Sequence, residues 1–189
     1  MSINATVLIL IAHPQLHRSR VNKQLIKKAR DVEGIIINDL YENYPDYYIN
    51  VAREQSLLMQ CSLVIFQHPL YWYSSPAILK QWQDVVLERG FAYGKNGIAL
   101  RNKDFMLAVS TGAAADAYQQ EGLHGFAVDN FLRPLQQTAL LCGMRYHPPF
   151  LVQNANNLSN LDILRYAQDY QTLLESYVKV GSDYFGTST

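Results

Sequence analysis

Two cysteines in 189 residues, Cys61 and Cys142, are too few and too isolated for a disulfide framework or a zinc site. Both stand in apolar surroundings with no CxxC spacing and no histidine cluster, so they read as small buried residues. An excess of charge is missing as well. Sixteen Lys and Arg balance sixteen Asp and Glu, and the longest basic run is the pair Lys27-Lys28. That excludes the footprint of a nucleic-acid binder or a polybasic membrane anchor. The longest apolar stretch, Ala5 to Ala12, falls far short of the ~20 residues of a spanning helix. No signal-peptide charge pattern precedes it, so the expected location is the cytoplasm. Glycine-rich phosphate loops of the GxGxxG or Walker kind are absent too. What the chain does have is 49% hydrophobic residues, enough to fill one core, and residues 1–189 read as a single domain. It also has thirteen tyrosines within 12% aromatic content, a surplus that suits an aromatic ligand or a subunit interface.

The order of elements follows from apolar patterning. Thr6 to Ala12 is a continuous, β-branched run ending at His13-Pro14, as expected of a central strand buried on both faces of a parallel sheet. Asn22 to Val32 carries Leu25, Ile26 and Ala29 inward and Lys27-Lys28 outward, with Gly34 as a stop, and reads as the first crossover helix. Ile35-Ile36-Ile37 is a second strand, a helical stretch begins near Asn50, and Ser62 to Gln67 is a third strand. Ser74 or Ser75 as N-cap and Pro76 in the first turn open a helix with the face Ile78, Leu79, Trp82, Val85 and Val86. Met106 to Val109 is a fourth strand. A long helix from Phe126 to Leu141 must kink or restart at Pro134. Arg145-Tyr146-His147 and Phe150-Leu151-Val152 flank a Pro-Pro break and supply a short fifth strand, and Leu161 to Val180 closes the chain as a helix. Alternation of this kind predicts an α/β, doubly wound three-layer sandwich around a five-stranded parallel sheet of order 2-1-3-4-5. Its ligand crevice lies outside the carboxyl ends of strands 1, 3 and 4.

Three loops meet that edge. The first runs from Ala12 to Asn22 and offers His13, Ser19, Arg20 and Asn22 as donors beside a helix N-terminus, an arrangement that favours phosphate or pyrophosphate. Ser19 serves equally well as a plain N-cap. His13 and His17 have the i, i+4 spacing of a metal pair, but Pro14 between them prevents a shared helical face, and no metal is expected. The second loop, Leu70-Tyr71-Trp72-Tyr73, strands aromatics where only a planar ligand, a partner subunit or the core rim can cover them. The third begins Ser110-Thr111-Gly112-Ala113-Ala114, small residues that let backbone N–H groups approach a ligand. Tyr118 and His124 are its proton-handling side chains.

Together these segments resemble the flavodoxin-fold NAD(P)H:quinone oxidoreductases, and among them most nearly the ancillary flavoproteins of glutathione-gated Kef potassium-efflux systems. The resemblance runs from about Thr6 to Pro149. It is carried by Ala12-His13-Pro14 with Ser19 and Asn22, Asp39-Leu40-Tyr41 with Tyr44-Pro45-Asp46, Gln67-His68-Pro69-Leu70-Tyr71-Trp72-Tyr73, and Arg89-Gly90-Phe91-Ala92-Tyr93-Gly94. It implies that His13, Ser19, Arg20, Val21 and Asn22 bind the phosphate side of a flavin, FMN or alternatively FAD. Leu70, Tyr71, Trp72 and Tyr73, with Thr111, Gly112, Ala113 and Ala114, hold its ring. Tyr118 and His124 are implied to stabilise charge on the reduced ring during hydride transfer from NAD(P)H, which then passes to a quinone or similar electrophile. The third loop departs from the family's Thr-Gly-Gly by its alanines, whose methyl groups crowd the ring edge. A homodimer is expected, because a ring at the sheet edge needs a second wall, and surplus aromatics such as Phe91, Tyr93 and Phe126 supply one across a two-fold interface. The partner of the ancillary proteins, the cytoplasmic domain of a potassium-efflux transporter, gives an alternative role as a regulatory subunit with little turnover, placed peripherally at the inner membrane. A flavodoxin-like electron carrier fits less well, because carriers are usually acidic and this chain is neutral.

Overall fold

The computed structural model describes residues 5–186. β1 (Val7–Ile11), β2 (Ile35–Asp39), β3 (Leu63–Pro69) and β4 (Asp104–Ser110) pair in parallel in the order β2-β1-β3-β4. The strand expected after them is two pieces. β5 (Arg145–Tyr146) pairs with the start of β4 and β6 (Phe150–Val152) with its end, so the sheet has six strands rather than five. Pro148 and Pro149 account for the split, since neither has an N–H to give the ladder. Everything else about the order 2-1-3-4-5 stands.

Side chains alternate across the sheet and divide the core. Val7, Ile9 and Ile11 face α1 (Val21–Ala29) and α6 (Asn160–Val180), packing with Leu25, Ile26, Ile163, Tyr170 and Leu174. Leu8 and Leu10 face the opposite layer of α2 (Leu40–Asn43), α3 (Val51–Gln60), α4 (Ala77–Val86) and α5 (Val128–Leu141). Cys61 and Cys142 are buried free thiols there, and burial pushes both up to about 11.

Several helix boundaries differ from the pattern-based reading for identifiable reasons. Neither Ser74 nor Ser75 caps α4: Pro76 occupies the N-cap position and no side chain caps the helix, while Ser74 closes the turn before it. Helix α5 runs unbroken through Pro134, forfeiting the one N–H bond proline cannot make, and Thr138 Oγ1 donates to the Pro134 carbonyl at 2.9 Å. Helix α2 was not expected. It forms because the Asp39 carboxylate accepts from the N–H groups of Tyr41 and Glu42. No helix among the described residues is long and apolar enough to cross a membrane.

Candidate functional site: a cleft at the strand-order reversal

The chain leaves β1 for β2 on one side and reaches β3 on the other, so the carboxyl ends of β1 and β3 diverge and open a crevice. A cleft of about 470 Å³ fills it. His13, Ser19, Arg20, Val21 and Asn22 of the first loop line it, with Leu70 and Tyr71 of the second and Thr111 and Gly112 of the third. Trp72, Tyr73, Ala113, Ala114, Tyr118 and His124 do not line this cleft.

The phosphate-side loop is built on buried polar contacts. Ser19 Oγ, one residue before the N-cap position Arg20, accepts from Asn22 N at 3.1 Å, leaving the other first-turn N–H groups of α1 without intrahelical acceptors. Asn22 Nδ2 donates to Ser110 Oγ at 2.8 Å, and Gln67 Nε2 donates to Asn22 O at 3.2 Å, which ties the loop to β3 and β4. His13 Nδ1 accepts from Gln15 N at 3.1 Å, so the proton of the neutral ring sits on Nε2. Burial lowers the His13 pKa, with the neighbouring His17 charge acting the same way against its backbone hydrogen bond. His13 also meets Tyr71 edge-on, ring centroids 6.2 Å apart, joining the first loop to the second. No Asp or Glu lines the cleft, whereas His13, Arg18 and Arg20 do. An anionic ligand suits that donor set.

The aromatic loop is a tight two-residue turn. Tyr71 N donates to Ser74 O at 2.9 Å and Ser74 N to Tyr71 O at 3.0 Å, while Trp72 and Tyr73 both hold left-handed φ values of 49° and 62°. That is the type I′ pattern, which normally takes Asn or Gly. An aromatic in each central position costs ~1–2 kcal/mol, and Trp72 is 93% exposed. Backbone strain spent on holding a bare indole in solvent marks a surface built to meet something.

Tyr73 leads to the rim pair. Tyr73 OH lies 3.4 Å from His124 Nδ1, and the His124 ring rests 4.5 Å from that of Tyr118. His124 Nε2 is buried with no hydrogen-bond partner. Burial raises the Tyr118 pKa, only partly offset by the Thr111 hydroxyl, and keeps the phenol a neutral donor. Phe131 of α5 backs this pair, touching Tyr73, Tyr118 and the exposed Phe126. No residue from Ser110 to Tyr118 needs a positive φ, and the Ala113 carbonyl is held by Thr111 Oγ1 at 2.7 Å.

One wall was missed altogether. Residues 153–158, after β6, are assigned no role from the sequence, yet Ala155 and Asn156 line the cleft. Asn154 N donates to Ala113 O and Ala155 N to Thr111 O, each at 2.9 Å, so this fourth loop is stapled to the third. The Arg20 guanidinium donates to Asn156 O at 3.1 Å, Leu158 O at 2.8 Å and Asn160 Oδ1 at 3.1 Å. Among the described residues no group of three His, Cys, Asp or Glu side chains is placed to hold a metal ion.

A doubly wound sheet with a ligand cleft at its switch point, lined by side-chain donors rather than a glycine-rich loop, defines the flavodoxin-like class. The chain belongs to the family of that fold, whose model matches residues 5–174, and within it lies close to the Kef ancillary proteins and NAD(P)H:quinone oxidoreductases. The glutathione-regulated potassium-efflux system ancillary protein KefF of Klebsiella aerogenes is 49% identical over 144 residues, 76% of this chain and 80% of that protein. General stress protein 14 of Treponema denticola, solved in complex with FMN, superposes with a TM-score of 0.87 at 37% identity, covering 90% of this chain and 98% of that one. An NADPH-quinone reductase from P. pentosaceus gives 0.81 at 34% identity, covering 88% and 96%.

Proposed function

We propose that this protein is an FMN-dependent NAD(P)H:quinone oxidoreductase working as a homodimer. The observation that carries the reading is the cleft itself: an acid-free donor set at one end, small backbone at the other, and a tyrosine–histidine pair on the rim. FMN is chosen over FAD because the similar stress protein was solved with FMN. The bound flavin supplies the capacity to take up a hydride and pass it on. The chain's residues do the rest. Ser19 and the free amides at the start of α1, Arg20 and Val21, hold the phosphate. Leu70 to Tyr73 and Thr111 to Ala114 flank the ring and orient it. Tyr118 OH and the His124 imidazole packed on it offer hydrogen bonds to negative charge at the ring edge.

The exposed apolar side chains of Trp72, Leu123 and Phe126, at 93%, 86% and 60% exposure, support the dimer, because a second copy would hide such surface. Sedimentation followed at the flavin absorbance is expected to give a single boundary at the dimer mass with one FMN per chain. A monomer boundary at micromolar protein removes the shared site, and colourless protein with free FMN removes the flavoprotein.

Trp72→Asn separates packing on the ligand from packing in the core. Asparagine tolerates the left-handed turn, so the unfolding free energy is expected to hold or rise by about 1 kcal/mol, while FMN dissociates faster. Lower stability with unchanged FMN retention contradicts this role.

The identity to KefF favours a second, compatible reading, a regulatory subunit that docks on the cytoplasmic domain of a potassium-efflux transporter. Negligible turnover by an FMN-loaded protein supports that reading over the enzyme.

A further inference from the structure

We propose that Asn156 contacts the ribityl chain of the bound flavin and that Arg20 is its positioning residue, not a phosphate ligand; this rests on the flavoprotein reading above. Three observations converge on Asn156. Its side chain lines the cleft from the fourth loop, exposed, and its amide makes no hydrogen bond among the described residues. Its backbone carbonyl is held at 3.1 Å by Arg20, at the phosphate end. Its Nδ2 stands 3.3 Å from where a Cβ on Gly112 would sit, at the ring end. Asn156 therefore stands between the start of α1 and the third loop, beside the path of a hydroxylated chain that joins a phosphate at the first to a ring at the second. A carboxamide matches a polyol, because it donates and accepts at once.

Arg20 spends three donors on residues 156–160. A guanidinium has five donors in a fixed fork, and with three committed to one loop the fork is oriented by that loop. The side chain thus links the start of α1 to the wall that carries Asn156, and the phosphate is left to the backbone and Ser19. A side chain at 112 would bring its Cβ to 3.3 Å from the Asn156 amide nitrogen, so the two loops face each other closely at this point.

Three ligands separate these roles: FMN, riboflavin, which lacks the phosphate, and lumiflavin, which lacks the ribityl chain. Fluorescence titration of the full chain is expected to show Asn156→Ala weakening FMN and riboflavin about tenfold alike, as for loss of one hydrogen bond, and sparing lumiflavin. Arg20→Met is expected to weaken FMN and riboflavin by the same factor. The double variant should be little worse than either single one, since both remove one contact. Lumiflavin binding reports that each variant is folded, and Asn156→Ser provides a milder version of the same comparison. Equal losses for all three ligands make Asn156 merely structural and overturn the proposal. A loss for FMN alone in Arg20→Met returns its guanidinium to the phosphate and overturns the positioning role. Failure of the unaltered protein to bind any of the three overturns the flavoprotein reading itself, and this inference with it.

Discussion

Tyr118→Phe and His124→Gln are each expected to slow reduction of the FMN-loaded protein by NAD(P)H about 10- to 100-fold while barely changing FMN affinity. The two side chains sit on the rim rather than in the 470 Å³ cleft, so they contribute little to holding the ligand in its resting state. Their hydrogen bonds gain strength only as negative charge grows at the ring edge, and an interaction made chiefly in the transition state lowers rate without lowering affinity. Loss of a preorganised donor at an enclosed oxyanion site costs ~10²- to 10³-fold. The rim is partly open to water, which reduces the effect here. Because Tyr118 and His124 pack on one another at 4.5 Å, the double variant should fall short of the product of the two effects. Stopped-flow rates equal to those of the unaltered protein assign both residues to packing and shift weight to the regulatory reading.

Asp104→Asn is expected to give the largest loss of stability, about 3 kcal/mol, with the cleft intact. Asp104 is fully buried at the amino end of β4, the far end from Ser110 in the cleft. Its carboxylate accepts from Arg145 Nε at 2.8 Å, His147 Nε2 at 2.7 Å, Tyr177 OH at 2.7 Å and Ser182 Oγ at 2.6 Å. Taking the charge from one side leaves the others unpaired, and breaking a buried pair in this way costs ~3–5 kcal/mol. The half-exposed Arg145 keeps the figure at the lower end. Burial by itself raises the Asp104 pKa, but His147, Arg145, Ser182 and Tyr177 together hold it well below the usual carboxylate range. A pKa depressed on folding contributes stability that is complete above the unfolded value of ~3.9 and is lost as the pH falls below it. Unfolding free energies measured by denaturant from pH 7 to pH 3 should therefore fall less steeply for Asp104→Asn than for the unaltered protein. Parallel pH curves, or a loss below ~0.5 kcal/mol, contradict the network's role.

Strands β1, β3 and β4 were legible because a parallel strand covered on both faces leaves a continuous apolar run, as in Val7–Ile11. Their order and the three loops at one edge followed from the alternation with helices. Long-range polar contacts left no such trace. Glu54 looks like one more charge on α3, yet it is buried, accepting from Asn38, Tyr44, Trp82 and Arg53. Asp104 and its partners lie 41 to 78 residues apart in the chain, a separation no local pattern encodes. The Trp72-Tyr73 turn was hidden for the opposite reason. Local preference reads Asn or Gly at left-handed positions, and here two aromatics override it. Asn156 was invisible because a polar turn becomes a cleft wall only once β6 carries it beside Thr111. Arg20 was legible as a site residue, but its partners, 136 to 140 residues away, were not.

The central claim is tested most directly by following both half-reactions in one anaerobic stopped-flow experiment on the FMN-loaded protein. The yellow absorbance is expected to bleach on mixing with NAD(P)H and to return on a second mixing with a quinone, cycle after cycle, without release of FMN. Absorbance that stays unbleached by NADH and NADPH alike, in protein that retains its FMN, contradicts the oxidoreductase.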